Sequence, residues 1–528
     1  MRALAKKKPP AAKRGLPPPQ PAQVHVFPAP TRGWVLNENL AMPNPGAASI
    51  LENWVCTEKS IRARGGCQKY ATLGAGVTAA FTYRSGATAK FFAATASAIY
   101  DITSVADPEV VPTAAVSGQT GGAYASEQFT TAGGDYLYTV NGADEAQLFD
   151  GTSWQAVNAA SSPIAVTGVA TEALSHVWSY ASRLFFVEKD TLSAWYLPID
   201  SLGGAAAEFG LGGIFRKGGA LLFGATWSQD SGAGLDDKCV FVSDQGEVAI
   251  YEGTNPGSAS DWRLAGVYDI TPPLGAEAVA RAGGDLLIAT KSGLVGLSQA
   301  LQRDVSVLGV SAISAPISPH WTEQANASGS NWSLLKWPEK NILLVSQPHT
   351  TGCLVANLQT GTWSRFTAWD AQCMARHNAR GFFGAADGCV YEMEIGGSDD
   401  GAAYTCTYIG QHEALTGGEK TVLQMRPIFQ SSTVINPQTS VIVNYGTGRS
   451  APPAEATETG TAGWDVAKWD AGLWDDPVST TIGGKWASIG RSGWVVAPEL
   501  QLTFDNVATP NVELVSIDAT YETGAVVT

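Results

Sequence analysis

A short unit recurs along the middle of the chain, and its spacing narrows the available folds more than any other feature. Each copy is a β-rich run, a turn rich in Gly, Asp or Asn, and a second β-rich run. The copies are KFFAATASAIYDI from Lys90, DYLYTVNGADEAQLF from Asp135, RLFFVEKDTLSAWYL from Arg183, KCVFVSDQGEVAIYEG from Lys238, DLLIATKSGLVGL from Asp285, NILLVSQPHTTGCLVANL from Asn341 and GFFGAADGCVYEME from Gly381. Their starts lie 40 to 56 residues apart, the period of one four-stranded propeller blade. The expectation is an all-β chain whose body is a β-propeller of about seven blades.

Local chemistry agrees with hairpins. Asn141-Gly142 and Asp387-Gly388 fit type I′ turns, and Asp244-Gln245-Gly246 fits a bulged loop. Runs such as 184–187 and 342–345 are apolar at every position, so both of their faces must be covered, as in the middle strands of stacked blades. The aromatic pieces DGTSWQAV (150–157) and TGTWSRF (360–366) look like outer strands whose Trp fills the gap between neighbouring blades. With 15% charged residues, 86 Gly and Pro in 528, and no long Glu/Lys/Leu-rich stretch of helical period, coiled coils and helical bundles are excluded. A hydrophobic content of 45% excludes a mainly disordered chain. No run of about 18 apolar residues offers a membrane-spanning helix, so no membrane insertion is expected.

Four regions follow. Residues 1–32 are a basic, Pro-rich, extended arm; 33–74 a β segment packing on the body; 75–400 the propeller; and 401–528 a further β-sandwich-like domain with alternating strands near 404–408, 440–445 and 514–521. The net charge of −15 is unevenly spread. The first 33 residues carry seven cations and no acid, leaving −22 for the rest. An acidic body repels nucleic-acid phosphates, so DNA could slide past it without binding. The arm's Arg2, Lys6, Lys7, Lys8, Lys13 and Arg14 are the candidate contacts to an acidic partner. Proline rather than an apolar stretch follows those charges, so Sec export is not expected.

Signatures of chemistry are missing. There is no G-x-S-x-G, phosphate loop, H-E-x-x-H or D-x-D-x-D-G. Ser228-Gln229-Asp230-Ser231-Gly232 begins like a sialidase Asp-box, but Leu235 stands where the Trp belongs. The neighbouring acids Asp236-Asp237, Glu392/Glu394 and Asp399-Asp400 are candidates for a glycosidase pair, but the first and third sit in Gly-rich loops and fit solvated turns. Seven scattered cysteines without C-x-x-C fit buried free thiols. The six histidines are dispersed, and no catalytic residue, cofactor or metal is expected. Arg62 and Arg64 fit one face of a short strand, either solvated or reaching an acidic partner. Trp464-Asp465, Trp469-Asp470 and Trp474-Asp475 repeat every five residues, a period of neither strand nor helix. Trp464, Trp469 and Trp474 suit either packing onto a neighbour or a row of platforms for sugar rings.

The stretch GWVLNENLAMPNPGAASILENWVCTEKSIRARGGCQKYAT (33–72) carries a Pro-rich turn, then x-L-x-N-W, then R-x-R-G-G. It resembles the N-terminal block of a family of tailed-phage virion proteins with a propeller-like body. The WDxxxWDxxxWD run and the closing VELVSIDATYETGAVV (512–527) are similar to that family's C-terminal end. The resemblance implies a nozzle, or tail tubular, protein of a short-tailed phage, made in the host cytoplasm and carried in the virion tail. Its partners would be further copies of itself, six in a ring, the portal and adaptor, and tail fibre or spike proteins, with DNA passing through unbound. The alternatives are a host-glycan receptor-binding module and a glycan-cleaving propeller.

Overall fold

The computed structural model describes residues 22–39, 44–228, 237–347, 350, 352–415, 418–454, 481–505 and 508–524. Six separate sheets of three or four strands follow one another around a ring: Val77–Ser85 to Ala114–Ser117, Ala125–Thr131 to Trp154–Val157, Leu174–Tyr180 to Ala207–Gly210, Leu221–Trp227 to Arg263–Asp269, Val279–Ala282 to Gly293–Gly296, and Ala371–His377 to Cys389–Met393. Before the last of these stand the strands Ser333–Trp337, Ile342–Ser346, Gly352–Asn357 and Trp363–Thr367, which continue into a larger sheet. The fold is an all-β propeller arrangement. Each repeat unit identified in the sequence lies on the second and third strands of one of these sheets.

Burial explains why the apolar runs take middle positions. Lys238–Ser243 is buried at every residue but its first, and Ile342–Ser346 throughout. An apolar cluster joins each sheet to the next. Phe81, Phe92, Leu137 and Phe149 link the first two, and Trp178, Phe185, Cys239 and Phe241 link the third and fourth. Ala71, Val77, Phe91, Cys373, Phe382 and Val390 link the last sheet back to the first, so the ring closes. Trp154 behaves as its position suggested, with its ring 6.1 Å from Phe81 and 5.0 Å from Phe92 across the gap.

Closure is made by a strand from the far end of the chain. Cys67–Thr72 pairs antiparallel with Cys389–Met393 as the fourth strand of the last sheet, Met393 opposite Cys67 and Cys389 opposite Thr72. The neighbouring strands do not belong to the propeller. Trp54–Cys56 and Ile61–Ala63 join a sheet with Lys420–Ser431 and Val512–Thr523. Ala48–Glu52 bridges Trp363–Thr367 to Tyr404–Gly410, Val496–Phe504 and Gln438–Val443. Gln23–Pro28, expected within the extended arm, is a strand paired with Val512–Thr523. The inward residues of these two sheets, among them Leu51, Trp54, Tyr408, Met425, Leu502 and Ile517, share one core.

Several local expectations are corrected. The Asn141-Gly142 and Asp387-Gly388 turns are not type I′, whereas Asp244-Gln245-Gly246 has the left-handed Gly246 that its expected bulged loop requires. In Asp387-Gly388 and Asp244-Gln245-Gly246 only the glycine has positive φ, and the Gly388 and Gly246 amides donate to the carbonyls of Ala385 and Ser243. Asn141-Gly142 lies in a longer loop in which the Asn141 side chain accepts from the amides of Ala143 and Asp144. Asn and Asp side chains can close a turn by hydrogen bonding the chain ahead, which removes the need for a second positive φ. Three short helices, Leu297–Ala300, Val305–Ser311 and Ser318–Ala327, follow the three-stranded sheet. The last of them buries Trp321, whose indole N–H donates to the Thr290 carbonyl at 2.8 Å.

Candidate functional site

The segment 53–66 brings most of the singled-out charged residues together. Asn53 ends one strand in a left-handed conformation, φ +63°, and is fully buried. Its amide donates to Thr367 Oγ1 and the Thr405 carbonyl, both at 2.7 Å, while its carbonyl oxygen accepts from Arg64 Nε at 2.8 Å and the Thr367 amide at 2.9 Å. Arg64, with none of its surface exposed, forks onto Asp399 at 2.8 and 2.7 Å. Its guanidinium lies 4.0 Å from the Tyr404 ring centroid and 4.7 Å from that of Trp369. Burial opposes its charge, yet Asp399 holds the guanidinium above its ordinary pKa. Tyr404 is pushed well up, chiefly by burial.

The glycines after Arg64 are dictated by contact. A Cβ on Gly66 would stand 1.9 Å from the Ser398 carbonyl oxygen, and one on Gly65 2.8 Å from the Glu394 backbone. Hence L-x-N-W and R-x-R-G-G, the patterns quoted above, form a knot tying the N-terminal segment to the residues that follow the last propeller strand. This corrects two expectations. Arg64 is neither solvated nor turned to a partner, and Asp399 is not a solvated turn residue. Arg62 is paired too, its Nη1 3.0 Å from Glu394, a carboxylate that is also 3.7 Å from Lys340 Nζ.

Beside this knot opens a cleft of about 470 Å³ lined by Cys56, Glu58, Lys59, Arg62, Lys340 and Glu513, among others. Its rim is held by Ser60 Oγ donating to Glu513 at 2.8 Å and Gln359 Nε2 donating to Glu58 at 2.7 Å. Burial pushes the Cys56 thiol up to about 12, so it is no nucleophile at neutral pH. Its polar and charged lining suits a polar ligand.

The other candidates lie apart. Glu392 is bound to Arg380, and Asp237 to Ser228. All seven cysteines are buried and free of disulfides. Among the described residues no group of three or more His, Cys, Asp and Glu could hold a metal, and no helix is long and apolar enough to cross a membrane. The cations Arg2, Lys6, Lys7, Lys8, Lys13 and Arg14 and the row Trp464, Trp469 and Trp474 lie outside the described residues. Sequence reasoning did not single out Asn53 beyond its place in the motif; an Asn just after an apolar strand is the one signal of its left-handed backbone.

One face remains open and carries exposed apolar side chains beside the Arg426–Asp518 ion pair. On the outside of the sheet containing Val512–Thr523, Val26 stands opposite Asp518, and Asp518 opposite Arg426. The Arg426 guanidinium lies 4.8 Å from the ring centroid of Trp486. Val24 is 66% exposed, Val26 51% and Trp486 41%.

No protein-family model matches the chain, and no curated protein does. Among solved structures, the computationally designed Ika8 protein is similar at 11% identity and a TM-score of 0.36, covering 62% of this chain and all of that one. YCF48 from Cyanidioschyzon merolae is similar at 10% identity and a TM-score of 0.36, covering 63% of this chain and 99% of its own.

Proposed function

We propose that the chain is a structural virion protein, a nozzle component of a short-tailed phage. Six copies would form a ring below the portal and adaptor, through which the genome leaves without being gripped. On this reading the propeller has seven blades over 75–400, the last closed by Cys67–Thr72, the two-sheet assembly is a sandwich-like domain of 401–528 completed by Gln23–Pro28 and strands from 33–74, and the basic stretch that carries Arg2 to Arg14 laces each copy to an acidic neighbour. Tail fibre or spike proteins would attach outside. The protein would be made in the host cytoplasm and act in the virion.

The observation that carries the proposal is the use made of the motif residues. Asn53, Arg64, Gly65 and Gly66 are spent on a buried knot, and none faces a ligand cavity. That is what a load-carrying subunit requires. The open row of Val24, Val26 and Trp486 supports the same reading, because exposed apolar groups gathered on one face suit packing against another subunit. The acidic body supports a conduit that does not hold DNA.

The polar cleft beside Arg62 favours a second reading, a glycan-binding or glycan-cleaving tail propeller. Incubating the purified protein with host surface polysaccharides separates the two. The nozzle reading expects neither retention on the polysaccharide nor release of reducing sugar, and either result at micromolar protein would overturn it.

A further inference from the structure

The first strand of each propeller sheet packs against the first strand of at least one neighbour, so these strands are the innermost and surround the axis. Their pairing registers pick out one equivalent position per sheet, one residue pair in from the turn to the second strand. Around the ring these positions hold Arg84 opposite Ala89, Thr130 opposite Asp135, Ser179 opposite Leu184, Thr226 opposite Cys239, Arg281 opposite Leu286, Lys336 opposite Leu343, and Arg376 opposite Gly381. Four successive sheets therefore place a cation at the same height at one mouth of the axial channel, in the order Arg281, Lys336, Arg376, Arg84. The remaining three place hydroxyls there.

Arg84, Arg281 and Arg376 are exposed and Lys336 partly so, while Tyr83, Trp337 and His377 beside them are buried. Electrostatic coupling supports convergence on the axis. Burial raises the pKa of Glu127, on the second sheet, and Arg281, on the fifth, draws it back. Burial lowers that of His377, with Arg380 and Arg84 adding to the effect. Two of the four cations have some compensation. Arg376 is bound to Glu339, and Arg281 Nε donates to the Thr226 carbonyl at 2.9 Å. The Arg84 guanidinium and the Lys336 ammonium have no hydrogen-bond or ion-pair partner among the described residues. At the other mouth the first strands begin with Val77, Ala125, Leu174, Leu221, Val279, Ser333 and Ala371, with no charge among them.

We propose that the arc Arg281, Lys336, Arg376 and Arg84 is a binding site for a multivalent phosphoryl anion seated at this mouth of the channel. Like charges gathered on rigid strands repel one another, and an oxyanion reached by several of them relieves that repulsion. Guanidinium forks match phosphoryl oxygens in pairs, and an ammonium adds a point charge. The three hydroxyls on the rest of the rim are already committed, Thr130 donating to Asp135, Ser179 to Glu127 and Thr226 to the Ser179 carbonyl, so the cationic arc alone carries the site. The phosphoryl groups could belong to a free polyphosphate or to a nucleic-acid end. The inference stands on the propeller alone and does not depend on the nozzle reading.

The test is calorimetric titration of the full chain at low salt with inorganic tripolyphosphate and, separately, with a short single-stranded oligonucleotide. Saturable binding of at least one is expected, weakening as salt rises. The double variant Arg84→Ala/Lys336→Ala should bind about tenfold or more weaker, losing two unneutralised charges. Lys291→Ala, in a turn at the other mouth, should bind as the parent does. An unchanged melting temperature shows that the double variant is folded; Arg84→Gln/Lys336→Gln replaces it otherwise. Tripolyphosphate binding points to a free anion, and oligonucleotide binding alone to a nucleic-acid source; each supports the site. Binding of neither, or binding that the double variant leaves intact, would overturn it.

Discussion

The propeller sheets and the two-sheet assembly beside them are both built from antiparallel strands, but they close by opposite routes. A propeller sheet such as Leu221–Trp227 to Arg263–Asp269 is written in fewer than fifty consecutive residues, each strand pairing with the next in sequence. In the two-sheet assembly Gln23 faces Tyr521 and Ile61 faces Leu514. Burial differs accordingly. Middle propeller strands are covered on both sides, whereas Lys420–Ser431 and Val512–Thr523 alternate between buried and open positions. Apart from the last, which Cys67–Thr72 completes, each propeller sheet loses little if a distant residue changes. The two-sheet assembly depends on ordering chain ends hundreds of residues apart, an entropic cost that the knot around Arg64 must offset.

Substitutions break this comparison in order of size. Arg64→Ala should be the most damaging, since it leaves Asp399 buried without its partner, at a cost of about 4 kcal/mol. Hydrogen exchange should rise together in Cys67–Thr72, Cys389–Met393 and Val512–Thr523; a change confined to one of them would argue against a shared knot. Asn53→Ala removes four buried hydrogen bonds and a residue tolerant of positive φ, and should cost about 3 kcal/mol in denaturant unfolding, with the same exchange pattern. Trp154→Ala, between the first two propeller sheets, should cost about 2.5 kcal/mol and raise exchange there alone. Exchange spreading to the two-sheet assembly would erase the distinction between the regions.

Acidity offers a smaller probe of the propeller. His176 is buried, with Nε2 3.1 Å from the Gly224 carbonyl oxygen and no partner for Nδ1, and burial pulls its pKa down to about 4. The unfolded chain takes up a proton near pH 6.5 and the folded chain does not until near 4. This histidine's contribution to stability is therefore complete above 6.5 and is lost as pH falls toward 4. Between pH 7.5 and 5 the loss should be about 2 kcal/mol. His176→Gln should flatten that part of the stability profile, and an unchanged profile would show that the imidazole is already charged in the folded chain.

What the sequence disclosed follows the same division. The propeller repeats were legible because each is a local hairpin with apolar runs and turn residues in register. The closing role of Cys67–Thr72 was not, since CQKYAT carries no mark of a partner more than three hundred residues away. Arg62 and Arg64 were noticed for their charge, but nothing local said that Glu394 and Asp399 would meet them. The four-cation arc at the channel mouth is not legible in the sequence, because its residues share a height only once the registers are known.

The ring proposed for this chain is tested most directly by the mass of the purified protein in solution. Light scattering with negative-stain imaging of the main peak should give closed rings near six times 55.2 kDa, formed alone or on addition of the portal and adaptor. A particle that stays at 55.2 kDa under both conditions would contradict the account.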